Sequence, residues 1–135
     1  MPDFTTLRAS IGRDHYQTRL DNGRHQFLGD EPADAGGTDT GPTPSELVLA
    51  GLATCTAATL RMYADRKGWD LEKIDLVLTL EIEKNGAIQV GHIRRNLTLH
   101  GNLSEDERKR LLDIAEKCPV HRLLTNEVRI ETTLS

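Results

Sequence analysis

A long capped helix near the middle of the chain constrains the fold more than any other feature of the sequence. Thr43, Pro44 and Glu46 stand in the order typical of a helix start: a hydroxyl cap, a proline in the first helical position and the glutamate of a capping box. We expect the helix to end at about Lys67, because Gly68 follows it.

The middle of this helix, residues 50–58, consists almost entirely of small side chains, with Cys55 at its centre. Small side chains allow a second helix to approach closely. Aromatic residues make up only 4% of the chain, so the core of an isolated monomer would be thin. We therefore expect an oligomer in which this surface is buried.

The residues before the helix predict short strands followed by a loop. Residues 7–28 alternate short polar and apolar pieces around Gly12 and Asn22-Gly23, which indicates two or three strands joined by tight turns. Residues 29–42 are rich in Gly, Pro and Asp and lack periodicity, which is typical of an exposed loop.

A β-hairpin is predicted after the helix. Residues 74–83 alternate apolar and polar side chains, and residues 88–100 continue the sheet. Asn85-Gly86 between them favours a type I′ turn.

The last third of the chain predicts two helices and a strand. Ser104 and Glu107 form a second capping box, which opens a helix to Lys117. A short helix over residues 120–124 follows the break at Cys118-Pro119, and residues 127–134 alternate as a final strand. The order predicts one α+β domain, residues 1–135, with helices on one face of an antiparallel sheet.

The charge and hydropathy of the chain argue against nucleic-acid binding and membrane association. The net charge of -4, with dispersed Lys and Arg, argues against nucleic acid as a partner. No basic segment followed by an apolar stretch opens the sequence, and about 18 consecutive apolar residues occur nowhere, so we expect no membrane association and a cytoplasmic location.

The two cysteines, Cys55 and Cys118, are the strongest candidates for chemistry. In a cytoplasmic protein a cysteine pair is a redox pair, a set of metal ligands or simply buried. Cys118 precedes a helix-starting proline, where unpaired amides favour the thiolate. The spacing of Cys118 and His121 suits zinc, but a second ligand pair is missing, so no metal is expected and His121 is a neighbour of the sulfur or a partly exposed residue.

Two motifs give the chain a family resemblance. GPTPSELVLAGLATC, which ends at Cys55, and CPVHRLL, which begins at Cys118, resemble the OsmC/Ohr superfamily, and RMYADRKGW after the first motif is similar to its OsmC-like subgroup. The resemblance implies an intertwined homodimer in which antiparallel sheets wrap around two central helices. It further implies reduction of organic hydroperoxides, recycling by a dithiol such as a lipoyl protein, and no bound cofactor.

The resemblance also implies roles for individual residues. Cys55 matches the attacking cysteine, and Cys118 matches the resolving one, which would close a disulfide. Arg13 is the candidate for the arginine that orients the peroxide, with Arg24 as its competitor. Ser45 occupies the position of the family's glutamate, and Glu46, the candidate that would replace it, stands one place later in the capping box.

Three hypotheses follow. The first is a thiol-dependent peroxidase of this OsmC-like type. The second is a protein that keeps the fold but binds a small ligand or serves in a stress response, with weak or no peroxidase activity; the displaced glutamate favours it. The third, a cysteine hydrolase that pairs Cys55 with His121, lacks an orienting residue and an oxyanion signature.

Overall fold

The computed structural model describes residues 5–135, which contain five strands and three α-helices. In chain order these are β1 (Arg8–Ile11), β2 (Thr18–Asp21), β3 (Gln26–Gly29), α1 (Pro44–Lys67), β4 (Lys73–Asn85), β5 (Ile88–His100), α2 (Glu105–Ala115) and α3 (Pro119–Thr125), with a short 3₁₀ helix at Ala33–Ala35. The α+β prediction is confirmed. The strands form two separate antiparallel sheets, β1-β2-β3 and β4-β5, rather than the single sheet expected. The chain divides into two compact units, with the boundary after Val48.

The first unit is a three-stranded meander, which confirms the prediction of short strands. Leu20 of β2 pairs with Phe27 of β3, and the turn between these strands contains Gly23, whose φ of 93° favours glycine.

The loop after β3 is organised around the buried carboxylate of Asp30. Its Oδ2 atom accepts hydrogen bonds from the hydroxyls of Thr38 and Thr40, both at 2.7 Å, and its Oδ1 atom accepts from the amides of Glu31 at 2.7 Å and Tyr16 at 3.1 Å. These bonds hold the pKa of Asp30 far below its ordinary value, because they stabilise the ionised form more than burial penalises it. The segment predicted as an exposed loop is therefore held in place by hydrogen bonds to the buried Asp30 carboxylate.

Both predicted capping boxes are present. At the start of α1 the Thr43 amide donates to Glu46 Oε1 at 2.9 Å, and the Glu46 amide donates to Thr43 Oγ1 at 3.2 Å. At the start of α2, Ser104 and Glu107 make the same reciprocal pair at 2.9 and 3.1 Å. The α1 helix ends at Lys67, as predicted, and Gly68 follows with a φ of 69°.

The hairpin of β4 and β5 differs from the prediction at its turn. Asn85 pairs with Ile88, so the two-residue loop is Gly86-Ala87 and not Asn85-Gly86. Of these two residues only Gly86 has a positive φ, at 65°, which matches a type II′ turn with glycine first rather than type I′.

The core of the second unit lies between α1 and α2. Its fully buried members include Leu60 and Ala64 of α1 and Leu111 and Ala115 of α2, with Leu71 before β4. This packing fixes α2, and with it the start of α3 at Cys118.

The predicted final strand is not formed within the chain. Residues 127–134 pair with no strand among residues 5–135, and Ile130 and Leu134 are 85% and 100% exposed. Alternation predicted a strand, but a strand also needs a neighbouring edge with which to exchange hydrogen bonds.

Candidate active site

Cys118 is the N-cap of α3, at the helix junction that the sequence predicted. Its backbone is extended, with φ -68° and ψ 144°, and Pro119 begins the helix. Its Sγ accepts a hydrogen bond from the His121 amide at 3.3 Å and lies 3.8 Å from Thr56 Oγ1, and the whole residue is buried. The sulfur therefore lies where a helix start presents an amide to it.

Cys55 lies beside Cys118. It is a half-buried residue of α1, and Val120 and Thr59 lie next to its sulfur. Both thiols are free, and each shifts the pKa of the other, so the two are neighbours in the structure. These are the only cysteines of the chain, so the structure brings together the two residues that a dithiol reaction requires.

The two thiols differ in acidity. Burial raises the pKa of Cys55, and the neighbouring Cys118 raises it further, despite hydrogen bonds from Val120 and Thr59 that act in the opposite direction. Burial also acts to raise the pKa of Cys118, but the hydrogen bond from the His121 amide and the positive charge of Arg95, together with the neighbouring Thr56 and Cys55 side chains, lower it overall. In the reduced protein Cys118 is thus the more acidic thiol, although the resemblance implies the attacking role for Cys55.

Arg95 of β5 lies next to this pair and was not identified from the sequence. Its Nη1 donates to Thr56 Oγ1 at 2.9 Å, and its Nη2 lies 3.1 Å from His121 Nδ1 and 3.6 Å from Glu116 Oε2. A signal was present: Arg95 shares the inward register of β5 with Ile93, Leu97 and Leu99. An arginine in the apolar register of a half-buried strand indicates a buried charge with partners.

The other predicted site residues belong to the first unit. Arg13 is exposed between β1 and β2, and Arg24 is exposed in the turn between β2 and β3, where its amide donates to Asn22 Oδ1 at 3.0 Å. The carboxylate of Glu46 is engaged in the capping box, and its bonds from the Thr43 amide and hydroxyl lower its pKa. Catalytic roles for Arg13 and Glu46 stay predictions.

Within residues 5–135 no cluster of three or more His, Cys, Asp and Glu side chains is arranged to hold a metal. The His121 ring faces Arg95 and Glu116, at 3.1 Å from each. Its backbone amide, and not its ring, contacts the Cys118 sulfur. His121 is therefore a neighbour of the sulfur, which is one of the two roles expected of it.

A cavity of about 320 Å³ opens beside Arg95. Apolar side chains of β5, α2 and α3, among them Ile93, Leu112 and Leu124, form one part of its wall, and Arg95, Glu116 and His121 form the polar part. The cavity thus combines an apolar surface with a buried cation.

Comparisons with known proteins agree with this architecture. The crystal structure of an OsmC-like protein from Mycoplasma pneumoniae superposes with a TM-score of 0.79 and 24% identity, over 92% of this chain and 89% of that one. An organic hydroperoxide resistance protein OsmC from Legionella pneumophila gives a TM-score of 0.69 and 20% identity, over 90% and 89% of the two chains. An uncharacterised protein of Haloferax volcanii is 26% identical over 98 residues, which are 71% of this chain and 73% of that protein. The family model of OsmC-like proteins matches residues 37–133, and the chain therefore belongs to the OsmC-like protein family.

Proposed function

We propose that this protein is a thiol-dependent peroxidase that reduces organic hydroperoxides with Cys55 and Cys118. The observation that carries the proposal is the pair of free, neighbouring thiols, with one sulfur at a helix start. The name of the Legionella relative, an organic hydroperoxide resistance protein, supports the substrate class.

The chemistry balances with these two residues alone. The Cys55 sulfur attacks the distal oxygen of the peroxide; the O–O bond breaks, and the alcohol leaves with the thiol proton. Cys118 then attacks the resulting sulfenic acid, forming the disulfide while the S–O bond breaks and water leaves. A dithiol, such as a lipoyl protein, returns the disulfide to two thiols by exchange. Arg13 would polarise the peroxide in the first step, with Glu46 or Ser45 facing it.

We further propose a homodimer. The α1 helix is long and apolar enough to cross a membrane, by length and composition alone, yet only 22% of its most apolar 18-residue stretch is buried within the chain. The tail with Ile130 and Leu134 is also uncovered and lacks a strand partner among residues 5–135. A second copy would cover both surfaces. Sedimentation at micromolar concentration should give a dimer; a monomer, or partition of the protein into lipid vesicles, would contradict this.

The peroxidase proposal is tested by treating the reduced protein with one equivalent of cumene hydroperoxide and mapping cysteine bonds by mass spectrometry. We expect a Cys55–Cys118 disulfide and one equivalent of cumyl alcohol. Cys118→Ser should yield the alcohol and a sulfenic acid at Cys55 that a dimedone probe traps, whereas Cys55→Ser should yield no alcohol. An intact peroxide after incubation with the wild-type protein would refute the proposal.

The cavity beside Arg95 favours one alternative, a protein that binds a small amphiphilic ligand. Its apolar wall and single buried cation suit a ligand with an apolar body and an anionic group. Under this alternative the wild-type protein binds such a ligand and leaves cumene hydroperoxide unreduced.

A further inference from the structure

The side chain of Arg95 is unusual for an arginine on a strand because only 10% of it is exposed. Its neighbour Arg94 faces the other side of β5, is 74% exposed and pairs with Glu81 at 3.3 Å. Two adjacent arginines on one strand thus differ in burial and in partners, and only one of them lies near the thiols.

Three contacts fix the guanidinium of Arg95. It donates to Thr56 at 2.9 Å and to His121 Nδ1 at 3.1 Å, and it pairs with Glu116 Oε2 at 3.6 Å. A guanidinium can only donate, so Nδ1 accepts and the ring proton lies on Nε2, which donates to Glu116 Oε2 at 3.1 Å. The ring of His121 therefore contacts both Arg95 and Glu116, which also contact each other at 3.6 Å.

This arrangement places a buried positive charge next to the Cys118 sulfur. Thr56 Oγ1 accepts the hydrogen bond from Arg95 and lies 3.8 Å from Cys118 Sγ. The titratable groups next to the sulfur are Cys55 from α1 and Arg95 from β5, whereas the ring of His121 from α3 and the carboxylate of Glu116, at the end of α2, contact Arg95. The Glu116 side chain is 62% exposed, so water screens its charge more than that of the buried arginine, and the net field favours an anionic sulfur.

We propose that Arg95 is a positioning residue that stabilises the thiolate form of Cys118 in the reduced protein and so accelerates the closing of the Cys55–Cys118 disulfide. The effect on the rate of disulfide formation rests on the proposed function. In that step the Cys118 thiolate attacks the sulfur of the Cys55 sulfenic acid; the S–S bond forms, the S–O bond breaks, and hydroxide leaves to take up a proton. Without Arg95 a smaller fraction of Cys118 is anionic, and the sulfenic acid persists longer.

Ionisation of Cys118 is measured without any peroxide, in a Cys55→Ser background where Cys118 is the only thiol. The ultraviolet absorbance of the thiolate is titrated against pH in this parent, in Arg95→Gln and, as a matched control, in Arg94→Gln. We expect Arg95→Gln to lower the thiolate fraction roughly tenfold below the midpoint, since an opposite charge at this range shifts a titration by about one unit or more. Arg94→Gln should give the same titration curve for the thiolate as the parent.

Arg95→Lys guards against an unfolded glutamine variant, because one ammonium group cannot donate to both Thr56 and His121 at the positions of the guanidinium nitrogens. Its thiolate fraction should fall by less than that of the glutamine variant. The proposal is overturned if either Arg95 variant folds and its thiolate titration curve equals that of the parent. It is also overturned if Arg94→Gln shifts the curve as much as Arg95→Gln does.

With both cysteines present, Arg95→Gln treated with cumene hydroperoxide should yield more dimedone adduct at Cys55 and less disulfide than the wild-type protein. Equal yields of adduct and disulfide in the two proteins would overturn the proposal that Arg95 accelerates disulfide formation. If the wild-type protein leaves the peroxide intact, the proposed function fails, while the titration still decides the role of Arg95.

Discussion

Thr56→Val removes the hydroxyl that links Arg95 to the thiol pair while keeping the shape of the side chain. Thr56 is fully buried; its Oγ1 accepts from Arg95 Nη1 at 2.9 Å and donates to the Leu52 carbonyl at 2.7 Å. The carbonyl retains its helical partner, but the guanidinium loses an acceptor inside the protein. A hydrogen bond to a charged group contributes about 1.5 to 3 kcal/mol, so we expect a loss of about 2 kcal/mol in the free energy of unfolding.

The assay is urea and thermal unfolding of the reduced protein at one fixed concentration, because dimerisation would make Tm depend on concentration. At this chain length 1 kcal/mol corresponds to roughly 4 °C, so Tm should fall by about 8 °C. Thr54→Val is the matched control: Thr54 lies on the same helix and donates to the Ala50 carbonyl at 2.9 Å, but it is exposed and receives no bond from Arg95. If both variants lose the same stability, the contact between Arg95 and Thr56 contributes nothing, and the reasoning is refuted.

Three further outcomes are expected. Asp30→Asn should lower Tm at neutral pH; because the folded pKa of Asp30 is depressed, its contribution is fully present above the ordinary value of 3.8 and is lost as pH falls below it, so the two proteins should converge in acid. Ser104→Ala should lower the free energy of unfolding by about 1 kcal/mol in urea titrations, since it removes one half of the α2 capping box. Ser45→Glu should raise peroxide turnover roughly tenfold by anchoring the active-site arginine, with Cys55→Ser as the inactive control; an unchanged rate, together with loss of activity in Glu46→Gln, would assign the anchor to Glu46.

Local signals explain what the sequence predicted correctly. Both capping boxes use residues only three positions apart, so their geometry is decided within one turn of chain. The long helix ends where Gly68 adopts a positive φ, and Cys118 caps the helix that Pro119 begins. None of these features depends on a distant partner.

Non-local partners explain what the sequence missed. The tail, residues 127–134, has the alternation of a strand, but alternation does not supply the edge with which it would pair. The hairpin turn moved by one residue because the register of β4 on β5 places Asn85 opposite Ile88, although Asn85-Gly86 suits a type I′ turn. The role of Arg95 was not predicted because its hydrogen-bond partner Thr56 lies 39 residues away in the sequence.

The capping box of Glu46 bears on its predicted catalytic role in a way that the sequence did not show. A capping box suggested that its carboxylate turns back to the helix start, and the structure confirms the bond from the Thr43 amide to Oε1 at 2.9 Å. A carboxylate, however, has two oxygens and about four acceptor positions, so the bonds from the Thr43 amide and hydroxyl leave the carboxylate able to accept from a guanidinium as well. The amide bond also lowers the pKa of Glu46, which keeps the carboxylate ionised and suited to an arginine partner. Capping and anchoring are therefore compatible roles for Glu46, and the choice between Glu46 and Ser45 depends on where the arginine lies and not on whether the carboxylate is occupied.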